Sequence, residues 1–148
     1  MSELAPAEGR FEGKAFVFPI RVYYEDTDFS GLVYHANYLR FMERGRSEFL
    51  RVAEVSHQAM LGSAEPLVWA VRRIEIDYLK PARVEEALTI RTALIELTGA
   101  RMRLAQEVRR GPEVLAGAEV EVCLITLDGR PRRVPDGVRT ILFCYLGN

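Results

Sequence analysis

The chain has 148 residues, one domain's worth, of which 49% are hydrophobic and 28% charged. That balance supports a packed core and argues against disorder beyond the first residues. A net charge of −1 and a pI near 6.2 argue against nucleic acid or an anionic membrane as a bulk partner.

Met1 to Lys14 holds Pro6, Gly9, Gly13 and mixed charges, and reads as a flexible N-terminal arm, with a single domain over residues 15–148. Ala15 to Tyr24 is rich in Phe, Val, Ile and Tyr, which suggests a first strand. Glu25 to Val33 carries Asp, Thr, Ser and Gly and reads as a loop. A helix is expected from His35 to Val55. Tyr38, Met42, Gly45, Phe49 and Val52 recur at steps of four, three, four and three, one apolar stripe of a half-buried helix. Gly45 on that stripe costs roughly 1 kcal/mol against Ala, a cost that close approach to a sheet could offset.

After the helix the period changes from 3.6 to 2. Ile74, Ile76 and Tyr78 alternate with Arg73, Glu75 and Asp77. Leu88 to Leu97 is a further strand. Met102, Leu104 and Val108 face away from Arg101, Arg103 and Arg109, and Val114 to Leu124 forms the longest alternating run. Thr98-Gly99-Ala100 and Gly111-Pro112-Glu113 are short turns, so the strands should run as antiparallel hairpins, four of them in a meander. Val134 to Leu146 is ambiguous between strand and helix. One helix covers one face of such a sheet. Leu115, Cys123 and Ile125 on the second face of the longest strand ask for another cover, and dimerisation supplies it.

Cys123 and Cys144 stand in no ligand spacing and read as buried thiols in a reducing compartment. No run approaches the roughly 20 apolar residues of a membrane span. The first residues contain no apolar h-region, so a cytoplasmic protein is expected.

The segment Tyr23 to Tyr38 packs three acids, one His, four Tyr and a Gly into a strand-to-helix junction. Asp26, Asp28, Ser30 and Gly31 match the start of a calcium loop, but Asn37 stands where the bidentate Glu belongs. Asp26, Asp28 and His35 lack a second His or a Cys at ligand spacing, so no metal or other cofactor is expected. A polar loop that merely caps a helix is the bland alternative. Hydrolysis of an activated acyl group is the third. It needs a base or nucleophile and donors for the developing oxyanion. Asp28 can supply the first, and free N–H groups of a helix starting near His35 the second. Gly31 lets the chain turn between them. Without GxSxG, or a Cys near His35, a Ser or Cys triad is disfavoured.

The run RVYYEDTDFSGLVYHANYLRFMERGRSEFLR, Arg21 to Arg51, resembles the 4-hydroxybenzoyl-CoA thioesterase-like hotdog proteins. Within them it is most similar to the acyl-CoA thioesterase group associated with the bacterial Tol-Pal system. The similarity continues more weakly through Ile76 to Ala82. Gly45, where that group usually has Ala, and Glu85-Glu86, where an Asp is usual, depart from it.

The resemblance implies an α+β hotdog fold, an antiparallel sheet wrapped around one long central helix, paired into homodimers or homotetramers. It implies Tyr24, Asp28 and His35 as the catalytic positions, with Asp28 as nucleophile or general base. Gly31, Val33, Tyr34 and Asn37 are the expected substrate-binding positions. Acyl-CoA is the implied substrate, and a basic rim for its phosphates is sought at Arg101, Arg103, Arg109 and Arg110, or at Arg130, Arg132 and Arg133. Rivals are a non-catalytic module binding acyl-CoA or acyl-carrier protein, and a hydratase or dehydratase on the same fold.

Overall fold

The computed structural model describes residues 3–147. Six antiparallel strands form one sheet in the order β1-β2-β4-β5-β6-β3. They are β1 (Arg10–Glu12), β2 (Ala15–Arg21), β3 (Leu67–Tyr78), β4 (Ala87–Leu97), β5 (Arg101–Arg110) and β6 (Glu113–Thr126). The helices are α1 (His35–Val52), α2 (His57–Leu61) and α3 (Asp136–Phe143), and a 3-10 turn spans Tyr24–Asp26. This is the expected α+β hotdog, with α1 packed against β2, β4 and β5.

The apolar stripe holds α1 to the sheet. Tyr38, Met42, Gly45 and Phe49 are buried, joined by Phe41 and Leu50, while Val52 is half-buried. Each large apolar side chain buried this way contributes roughly 1.5–3 kcal/mol. A Cβ on Gly45 would stand 2.7 Å from Ile90 Cγ2, so β4 approaches the helix backbone directly. The helix ends at Val52, short of the expected Val55. Glu54 takes φ 68, a left-handed turn that lets Val55 N–H donate to Leu50 O at 2.8 Å and buries Val55.

Four expectations are corrected. The arm is structured over Arg10–Glu12, because Phe11 stacks on Tyr145 with centroids 4.2 Å apart and meets Phe16 and Phe49 edge-on. The beginning of that arm, Met1 and Ser2, lies outside the described residues. The four-strand meander is only three strands, β4-β5-β6. β3 pairs with β6, and β2 occupies the free side of β4. The tight hairpins force β4-β5-β6 into sequence order, whereas the connection over residues 79–86 is long enough to cross the sheet. Leu115 faces the core instead of the outer surface. A bulge between Val108 and Arg109 shifts the register, and the extra residue turns inward, fully buried. Finally, Cys144 is exposed and Cys123 half-buried, so neither is a core thiol. The ambiguous tail resolves as α3, which buries Leu142.

Candidate active site

The strand-to-helix junction is built by backbone hydrogen bonds that leave few choices to the chain. Thr27 bridges Val33, and Leu32 bridges Arg83, closing a small antiparallel loop. Within it Asp28 N–H donates to Leu32 O at 2.9 Å and Gly31 N–H to Asp28 O at 3.1 Å. Gly31 sits at φ 79, which a side chain would strain. Asp28 is thereby presented at the tip of a rigid turn.

The Asp28 carboxylate is exposed and held from one side only. Its Oδ1 accepts from Ser30 N–H at 2.8 Å and from the Ser30 hydroxyl. These two bonds, the hydroxyl first, stabilise the ionised form and hold the carboxyl below its ordinary range. Oδ2 has no hydrogen-bond partner among the described residues. The carboxylate opens onto a shallow depression lined by Tyr24, Thr27, Asp28, Phe29, Gly31 and Val84.

Asp26 does different work. Its carboxylate accepts from Tyr23 N–H at 2.8 Å, capping the 3-10 turn. Its carbonyl accepts from Tyr34 N–H and from the Asn37 side-chain amide, both at 2.9 Å. Asn37 therefore ties the loop to the helix. At the start of α1, Asn37 N–H already bonds Tyr34 O, and Tyr34 provides no side-chain cap. The N–H groups of His35 and Ala36 are left without an acceptor among the described residues. Uncapped N–H groups at the positive end of an 18-residue helix suit a developing negative charge. The helix start is steadied by Tyr78, whose hydroxyl donates to His35 O at 2.9 Å.

The expected residues divide accordingly. Tyr24, Asp28 and Gly31 share the depression. His35 and Tyr34 lie outside its lining, with their rings 4.5 Å apart at the helix start. Val33 is buried, so its side chain offers nothing to a ligand from within this chain. Sequence reasoning missed Ser30 as the anchor of Asp28 and Tyr78 as the brace of His35. The Asp-x-Ser spacing could have shown the first, because a Ser two residues after an Asp commonly closes such a turn.

Most arginines of the two expected groups are ion-paired, while exposed Arg133 makes no ion pair among the described residues. Arg101, Arg103, Arg109 and Arg110 all pair with glutamates, Arg110 with Glu86 at 2.9 Å and Glu113 at 2.5 Å. Arg130 pairs with Asp128 and Arg132 with Glu65. Among the described residues, no group of three or more His, Cys, Asp or Glu could hold a metal ion. No helix among them is long and apolar enough to cross a membrane.

A family model described as the thioesterase-like superfamily matches residues 22–142. The chain is 39% identical over 125 residues to the acyl-CoA thioester hydrolase YbgC of Escherichia coli O6:H1, covering 83% of this chain and 92% of that protein. It is 40% identical over 112 residues to the acyl-CoA thioesterase YbgC of Haemophilus influenzae, covering 76% and 82%. A crystal structure of a probable thioesterase from Bartonella henselae superposes with a TM-score of 0.78 at 45% identity, covering 80% of this chain and 98% of that one.

Proposed function

We propose a function for this chain from one premise: it belongs to the thioesterase-like superfamily and is a thioester hydrolase. Its substrate is an acyl-CoA, cleaved to the free acid and CoA. The observation that carries the mechanism is the state of Asp28. Its carboxylate is exposed, ionised, fixed through Oδ1 and unengaged at Oδ2.

A thioester carbonyl carbon placed at Oδ2 meets either the carboxylate itself or a water it activates. Direct attack forms a mixed anhydride and expels the CoA thiolate, and water then releases the acid and restores Asp28. Both routes need the ionised carboxylate, and the hydrogen bonds from Ser30 favour that form. The N–H of His35 receives the negative charge that builds on the carbonyl oxygen. The His35 ring, between Tyr34 and Tyr78, orients the thioester or returns a proton to the leaving thiolate. Tyr24 lines the approach to Asp28 and positions the substrate.

The test is Asp28→Asn, which preserves shape and removes the charge. Single-turnover hydrolysis of a panel of acyl-CoA thioesters, with released thiol as the readout, should fall by about 10²–10⁴-fold or more. Asp26→Asn is the control, because the amide oxygen can still accept from Tyr23 N–H, and turnover should change far less. A folded Asp28→Asn protein with near-normal turnover would refute the assignment.

A further inference from the structure

The start of α1 and the turn that presents Asp28 are both tied to one short stretch of chain, the end of β3 and the residues that follow it. On the side of the helix, the Tyr78 hydroxyl donates to His35 O at 2.9 Å. On the side of the turn, Ala82 O accepts from Val33 N–H at 2.9 Å, and Leu32 bridges Arg83. Tyr38 couples the two. Its ring meets that of Tyr78 edge-on with centroids 5.4 Å apart, and its buried hydroxyl accepts from Ala82 N–H at 3.0 Å.

The atom that Tyr78 touches bears on the chemistry. His35 O and Ala36 N–H belong to one peptide plane. A donor on that oxygen fixes the plane and polarises it, which makes the N–H at its other end a stronger donor. Ala36 N–H, like that of His35, has no acceptor among the described residues. Tyr78 is the one side chain among the described residues that donates to a carbonyl of this first turn. Burial first, and then the neighbouring Tyr38, raise the pKa of the Tyr78 phenol, so it stays protonated and donating at neutral pH. The Tyr78 ring also meets the His35 imidazole edge-on, with centroids 6.2 Å apart.

We propose that Tyr78 is a positioning residue of the hydrolysis: its hydroxyl holds the His35–Ala36 peptide so that Ala36 N–H stands beside that of His35 as a second donor to the developing oxyanion. The inference rests on the reading of the start of α1 as the oxyanion site and extends it to a residue 43 positions away in sequence.

Tyr78→Phe keeps the ring contacts and removes only the hydroxyl. In the full-length protein, with the thioester panel, kcat should fall about threefold to tenfold, the range that one net hydrogen bond spans, and KM should stay unchanged. The loss should persist in a His35→Ala background, because the hydroxyl acts on the backbone and not on the imidazole. All rates are compared at a concentration where sedimentation gives the same species for each variant. A lowered Tm with unchanged kcat, a rise in KM alone, or a loss that disappears in the His35→Ala background would each overturn the proposal. Asp28→Asn, assayed beside them, keeps the two claims apart: if it loses turnover while Tyr78→Phe keeps kcat, the carboxylate assignment stands and the Tyr78 proposal falls. Should the double variant not fold, the split between kcat and KM in Tyr78→Phe decides alone.

Discussion

Ser30 sets the charge and direction of Asp28. Removing its hydroxyl leaves one backbone hydrogen bond to Oδ1 and withdraws the largest influence that holds the carboxyl down. The sign follows directly. Asp28 has its folded-state pKa depressed, so the ionised form persists as pH falls through the usual carboxylate range. In Ser30→Ala the pKa rises toward its ordinary value, and the acid limb of the kcat/KM profile moves to higher pH. Near neutral pH Asp28 remains ionised, so kcat should fall by less than the roughly 10²-fold expected when an acid–base group is lost. A pH–rate profile of both proteins measures this, and an unmoved limb would show that Asp28 ionisation does not control the rate. The sequence singles out Asp28 as a candidate, an acid in the strand-to-helix loop that carries Gly31. Which hydrogen bonds Asp26 and Asp28 each take was not readable from it. Both are carboxylates two residues apart, and only the backbone path decides that one caps the 3-10 turn while the other is presented outward.

Gly45 carries the argument at the scale of an element. In Gly45→Ala, the helix gains roughly 1 kcal/mol of propensity. Against this, the new methyl would stand 2.7 Å from Ile90 Cγ2, 3.2 Å from Thr92 Oγ1 and 3.3 Å from Gln106 Nε2. Ile90 is fully buried and cannot swing aside, and overpacking of this kind costs about 1–3 kcal/mol. The clash should win, lowering Tm by roughly 2–6 °C in calorimetry. An unchanged or raised Tm would mean that β4 yields. The stripe that holds Gly45 was readable because a helix repeats every 3.6 residues, and β4, β5 and β6 because they repeat every two. What periodicity does not encode is which strand lies beside which. Nothing in Ile74, Ile76 and Tyr78 distinguishes β6 from β4 as a neighbour. The bulge at Leu115 was hidden for the same reason, since the alternation continues on both sides of it. β1 and α2 are too short to show any period, and β1 is held by its pairing with β2 and by the ring of Phe11.

The two edges of the sheet are managed differently, and that difference bears on assembly. β1 is only three residues long, the kind of edge that offers little to a second chain. β3 is twelve residues long and lies at the opposite edge, bonded to β6 on one side and, among the described residues, to no strand on the other. Exposed Val71 and Tyr78 lie on it, and exposed Leu79 follows it. The sequence suggests dimerisation by pairing sheet edges or by packing the outer face of β6, and the second route weakens because Leu115 turns inward. The case from the β3 edge is stronger, since a long unpaired edge invites antiparallel pairing with a second copy about a two-fold axis. Sedimentation should therefore give a species of about twice the 16.8 kDa chain mass at micromolar concentration. Hydrogen exchange locates the contact. In the dimer, amides of β3 should be protected like those of the interior strand β5, while those of β1 exchange quickly. On dilution below the dissociation constant, the outward-facing amides of β3 should lose protection before any other strand does. A monomer at high micromolar concentration, or a dimer in which β3 exchanges as fast as β1, would rule out pairing through this edge.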